Sequence, residues 1–164
     1  MPARILLIDD EDIVLNAWNK ALRKTGHSIF RARTKDEALQ VAENEPIDLV
    51  VVDYLMGTTT GIEILNLIRK KRPLVRSILI SGQIDNFVRE EAVRELIKDK
   101  VEVDLYLHKP VRNEDLRQGV AALLQNKQID WQTWAKKVKS ARDAKPEDAT
   151  DAASRLKSHL KKRD

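Results

Sequence analysis

The chain has 164 residues, 42% of them hydrophobic and 34% charged, with a formal net charge of +4, a composition that builds a core and excludes a wholly disordered chain. It has no cysteine, which removes disulfides, thiolate zinc sites and a cysteine nucleophile from consideration. No uncharged apolar run approaches the roughly 18 residues of a membrane span, and the run Ile5–Ile8 meets Asp9 too soon for a secretory signal, so a cytoplasmic protein is expected.

Taken in chain order, Ile5-Leu6-Leu7-Ile8 before Asp9 reads as a strand buried on both faces. Val14, Ala17, Trp18, Ala21 and Leu22 recur at helical spacing, with Gly26 as the stop. Ser28 to Ala32 is a weaker strand candidate. Thr34, with Glu37 three residues on, opens a helix through Ala38, Leu39, Val41 and Ala42 by the capping-box pattern. Leu49-Val50-Val51-Val52 before Asp53 is a second fully buried strand. One threonine among Thr58, Thr59 and Thr60 is expected to cap the next helix. That helix carries Ile62, Ile64, Leu65 and Ile68 and ends in basic residues before Pro73. Ile78-Leu79-Ile80 before Ser81 is another buried strand. Val88, Ala92, Val93, Leu96 and Ile97 mark a further helix. Val101 to Leu107 alternates apolar and polar residues, as an edge strand does. Asn113 opens the last helix of the body, through Leu116, Val120, Leu123 and Leu124. Five strands alternating with five helices predict an α/β fold with a five-stranded parallel sheet, doubly wound.

Charge divides the chain into a body and a tail. Residues 125–164 hold 11 Lys and Arg against 6 Asp and Glu, leaving 19 basic and 20 acidic residues in 1–124. The tail also carries two helical stripes, one through Ile129, Trp131, Trp134 and Val138 and one through Ala149 to Leu160 that Pro146 would open. It is read as a basic helical tail, too short for a winged-helix output domain.

In a parallel sheet of this kind, chemistry gathers beyond the carboxyl ends of the strands. Asp9 and Asp10, Asp53, Ser81 and the Lys109-Pro110 pair all fall there. Three carboxylates on one rim repel each other unless a cation joins them, and Mg2+ suits an all-oxygen site. With an amine and a hydroxyl opposite, the set can bind and transfer a phosphoryl group. Asp53 is the candidate acceptor, because the adjacent Asp9 and Asp10 suit a metal-holding pair.

The series Asp9-Asp10, Asp53, Ser81, Lys109-Pro110 resembles the receiver domain of bacterial two-component response regulators, over about residues 3–124. The resemblance implies a flavodoxin-like fold with strand order 2-1-3-4-5 and a phosphoacceptor signalling protein rather than an enzyme. It implies phosphorylation of Asp53, with Asp10 a direct Mg2+ ligand and Asp9 acting mostly through water. The backbone carbonyl of Leu55 would be a further ligand, Ser81 the switch hydroxyl, Lys109 the phosphate-pairing amine and Tyr106 the switch aromatic. The donor would be a sensor histidine kinase or a phosphotransfer protein. The output would be contact with a downstream protein through the helix at 88–97, the Val101–Leu107 strand and the last helix of the body. A homodimer stays open as a form of that contact.

Two departures from the family's habit stand out. Gly57 occupies the place usually held by proline, which loosens the loop in entropic terms. Ser81 and Lys109 lie 28 positions apart, further than is usual. Leu55 and Gln83, two residues beyond the acceptor and the hydroxyl, would flank the path of a hydrolytic water. Leucine cannot orient water and glutamine can only hydrogen-bond it, so slow loss of phosphate is expected. The alternative is a transcription regulator whose basic tail binds DNA, though a surplus of five charges is modest for that role. A phosphatase with an aspartate nucleophile is disfavoured, because such enzymes use a D-x-D spacing from the strand end, whereas here Asp9 adjoins Asp10 and Glu11 stands two positions on.

Overall fold

The computed structural model describes residues 2–82 and 103–125. Gln83, the helix expected over Val88–Ile97 and the tail helices around Trp131, Trp134 and Pro146 lie outside the described residues. Five strands, β1 (Arg4–Ile8), β2 (Ser28–Ala32), β3 (Leu49–Asp53), β6 (Arg76–Ser81) and β7 (Leu105–His108), pair in parallel in the order β2-β1-β3-β6-β7. Counting these five alone, that is the expected order 2-1-3-4-5. The weak candidate Ser28–Ala32 is a full edge strand, in register with β1 from Arg4 opposite Ser28 to Ile8 opposite Ala32.

The helices α1 (Asp12–Leu22), α2 (Lys35–Asn44), α3 (Gly61–Lys71) and α4 (Asn113–Leu124) divide between the two faces of the sheet. The period-2 alternation of a strand explains the division. Ile5 and Leu7, Leu49 and Val51, Ile78 and Ile80, and Leu105 and Leu107 pack with α1 and α4. Leu6, Ile8, Val50, Val52 and Leu79 point the other way, toward α2 and α3. Both faces being covered, the central strands had to be apolar throughout. Each large side chain fully removed from water there contributes about 1.5–3 kcal/mol.

Local signals set the helix ends. Thr34 Oγ1 accepts from the Glu37 N–H (3.1 Å), and Glu37 reaches back to accept from the Arg33 N–H (2.8 Å), one residue earlier than a capping box requires. Thr60 is the threonine that caps α3, accepting from the Glu63 N–H at 3.2 Å. Thr59 Oγ1 donates to the Glu63 carboxylate at 2.7 Å. Gly26 closes a short 3-10 turn in the left-handed region, at φ 81.

Two stretches differ from the sequence-based expectation. The loop after Asp53 is a small antiparallel hairpin, with β4 (Leu55–Met56) against β5 (Thr59–Thr60). Gly57 is at its apex with φ 59, a conformation that proline, fixed near −65°, cannot adopt. The glycine therefore makes a defined turn and does not merely loosen a loop. The last strand begins at Leu105, so Val103 and Asp104 precede it. The Asp104 carboxylate is held at the foot of the sheet, accepting from the Ser77 N–H (2.8 Å) and Oγ (3.3 Å). It also lies 3.4 Å from Arg76 and 3.6 Å from Arg69. A carboxylate so engaged cannot take part in the polar-out alternation of an edge strand.

Candidate functional site

Strand register brings the chemistry-bearing residues to one rim. Ile8 lies opposite Val52, so Asp9 emerges beside Asp53. Asp53 lies opposite Ile80 and Ser81 opposite His108, so Ser81 and Lys109 follow one step along. The hairpin is tied to this rim by Tyr54 N–H donating to the Ile80 carbonyl and Gly61 N–H donating to the Tyr54 carbonyl, both at 2.8 Å.

Asp9 is fully buried. One of its carboxylate oxygens accepts from the Glu11 N–H at 2.8 Å and the other from Lys109 Nζ at 2.8 Å. Asp10 is exposed, and its carbonyl accepts from Arg33 at 3.3 Å. Asp53 is 7% exposed and lies 3.3 Å from Lys109 Nζ. Ser81 is buried at the end of β6, and its carbonyl accepts from the Lys109 N–H at 3.0 Å. The Lys109–Pro110 peptide is cis.

Burial pushes the Asp53 carboxyl up to about 6. Lys109 pulls it back, and the charges of Asp9 and Asp10 add to the rise. Burial opposes the Lys109 charge as well, but the hydrogen bond to Asp9 and the Asp53 charge hold its ammonium above the ordinary lysine value.

The donor chemistry fits a divalent cation. Asp9, Asp10 and Asp53 each offer a carboxylate oxygen, all within 4.8 Å of one another, an all-oxygen set of the kind hard cations take. Both oxygens of Asp9 already accept a hydrogen bond, from the Glu11 N–H and from Lys109 Nζ. Leu55 lies in β4, directly after the rim, and is 36% exposed.

Tyr106 is half-buried in β7, on the face of Leu79 and α3, packed with Tyr54 and Val103 against the core. Sequence reasoning overlooked Trp18 as part of this region, taking it for core alone. Its ring lies 5.9 Å from Lys109 Nζ. Gly61 was overlooked too, although a Cβ there would come within 2.1 Å of the Asp53 carbonyl oxygen. A glycine at the first position of a helix, where the cap is supplied by Thr60, was the available hint.

The sequence profile of the family described as Response regulator receiver domain matches residues 5–121. The alkaline phosphatase synthesis transcriptional regulatory protein PhoP of Bacillus subtilis is 25% identical over 129 residues, covering 79% of this chain and 51% of that protein. A cyclic di-GMP phosphodiesterase of Thermotoga maritima is 28% identical over 125 residues, covering 75% of this chain and 31% of that protein. The CheY-like receiver domain structure from Methanospirillum hungatei superposes with a TM-score of 0.66 at 26% identity, covering 77% of this chain and 96% of that one. The chain thus spans about half of the first relative's length and about a third of the second's.

Proposed function

Because the chain belongs to the response regulator receiver domain family, a family of signalling domains, we propose that it is a two-component response regulator that accepts a phosphoryl group on Asp53. The observation that carries this reading is the meeting of three acidic side chains and one ammonium at the sheet's carboxyl rim, with Lys109 bridging Asp9 and Asp53. Residues 1–124 act as the receiver and 125–164 as a basic tail. The protein is not a turnover enzyme, and its place of work is the cytoplasm. Among the described residues no helix is long and apolar enough to cross a membrane.

In the proposed step, an Asp53 oxygen attacks the phosphorus of a phosphohistidine on a sensor kinase or phosphotransfer protein. The P–N bond breaks and the imidazole leaves with its electron pair. Lys109 pairs with the phosphoryl oxygens and Ser81 donates a hydrogen bond to one of them. Mg2+, held by Asp10, Asp53 and the Leu55 carbonyl with Asp9 behind them, would supply the remaining neutralisation of charge. Tyr106 then follows Ser81 inward and changes the face around β7 and α4 that a downstream protein reads. A population shift of this kind also admits a homodimer as the output.

The reading is tested with a small phosphoramidate or acyl phosphate donor and Mg2+. One hydroxylamine-sensitive acyl phosphate per chain is expected, lost when EDTA is present. A chain that takes no label under these conditions overturns it.

Leu55 bears on how long the phosphate lasts. Its side chain at the rim can neither accept nor donate a hydrogen bond to an incoming water. Leu55→Asn supplies an amide able to orient one, and is expected to shorten the phosphate half-life by about tenfold. The check is the decay of the labelled protein at fixed Mg2+, where a longer half-life in the variant would contradict the role given to Leu55.

A further inference from the structure

We propose that Trp18 is a positioning residue for Lys109, an indole platform that keeps the ammonium at the rim while leaving its donors for oxygen ligands. This deepens the phosphoacceptor reading and rests on it.

Trp18 stands on the buried face of α1 with Leu15, Ala21 and Leu22, and is 4% exposed. Its ring centroid lies 5.9 Å from Lys109 Nζ, within the distance at which an ammonium is attracted to an aromatic face. The Lys109 side chain is itself only 25% exposed, so little water competes with that attraction. An ammonium has three N–H donors. Asp9 takes one at 2.8 Å, and Asp53 lies close enough at 3.3 Å to take a second. A carboxylate or hydroxyl in place of the indole would claim the third. The π face attracts the charge without claiming a donor, so one N–H remains for an oxygen of the incoming group.

The same β1–α1 unit therefore supplies both Asp9 and the surface that aims the lysine at it. A lysine stem has four rotatable bonds and considerable freedom to lose. Two carboxylates alone fix where the ammonium goes, but not the side from which it approaches. Leucine at position 18 would fill the core and offer no face to the charge.

The experiment measures binding of beryllofluoride with Mg2+, and of Mg2+ alone, by calorimetry on the full chain. The variants are Trp18→Leu, Trp18→Tyr, Lys109→Met and the Trp18→Leu/Lys109→Met double. Trp18→Leu is expected to weaken beryllofluoride binding by about tenfold, while Mg2+ affinity stays level or rises because a less well-held ammonium repels the cation less. Trp18→Tyr recovers most of the loss. In the Lys109→Met background, Trp18→Leu adds no further loss. A packing role alone would weaken both ligands together and act equally in both backgrounds, and either result overturns the proposal. If the leucine variant fails to fold, Trp18→Phe carries the test, with a smaller loss of about threefold expected. Parent protein that binds Mg2+ but no beryllofluoride would overturn the phosphoacceptor reading, and the Trp18 assignment with it. That outcome is distinguishable from a failure confined to Trp18, in which the parent binds both.

Discussion

Gly61→Ala is expected to destabilise the protein by about 3 kcal/mol, lowering Tm by about 10 °C, and to disorganise the acidic rim. The new Cβ would sit 2.1 Å from the Asp53 carbonyl oxygen, 3.0 Å from its carbonyl carbon and 2.9 Å from a Val52 methyl. Two of those three atoms are backbone of the central strand, which cannot rotate away as a side chain can. Relief must come from α3 and the hairpin moving off the end of β3, and that end carries Asp53. Gly119→Ala provides the contrast. Its Cβ would approach a Leu105 methyl at 2.6 Å and an Ile78 methyl at 3.7 Å, both side-chain tips. Alanine also gains about 1 kcal/mol of helix propensity over glycine within α4. Thermal melts of the two variants, with and without Mg2+, check the difference. Equal effects at the two positions would mean that backbone contact at Gly61 is not what fixes the turn.

The architecture could be read from the chain because the buried strands announce themselves. Leu49–Val52 is apolar at every position, and Asp53 breaks the run where the strand reaches the rim. The same pattern holds at Ile5–Ile8 with Asp9 and at Ile78–Ile80 with Ser81, so three of the site's residues were placed by where apolar runs stop. The hairpin at Leu55–Thr60 was not foreseen, because two-residue strands have no periodicity to detect. Only the positive φ of Gly57 distinguishes an apex from a loose loop. Asp104 misled the alternation rule, since a polar residue between Val103 and Leu105 looks like an outward strand position. It is in fact held by Ser77 across the foot of the sheet. The nearness of Trp18 to Lys109 joins residues far apart in the chain and follows only from the three-dimensional packing of α1 beneath the rim.

Asp53→Asn is expected to take no phosphoryl label and, in metal-free protein, to be more stable than the parent at pH 7.5. Folding raises the Asp53 pKa from 3.8 to about 6 because burial outweighs the pull of Lys109. Between those values the folded state binds more protons than the unfolded state, so stability falls as pH rises. The favourable contribution is complete below about 4 and is lost above about 6. A shift of this size corresponds to about 3 kcal/mol in full, reduced to about 1–2 kcal/mol by water at the open rim. Asparagine has no charge to bury, so its stability should be flat across that window, and the two proteins should converge near pH 4. Lys109, with its value raised above 10.5, stays charged throughout and adds no slope there. Saturating Mg2+ reverses the order at pH 7.5. At one hundred times its dissociation constant, it stabilises the parent by about 2.7 kcal/mol, and the variant by less because it has lost a ligand. Chemical denaturation at pH 4.5, 6 and 7.5, in EDTA and in Mg2+, measures each arm. A parent that gains stability between pH 4.5 and 7.5 in EDTA relative to Asp53→Asn would show that Lys109 outweighs burial at Asp53, and that the acidic rim is not held under repulsion before the cation arrives.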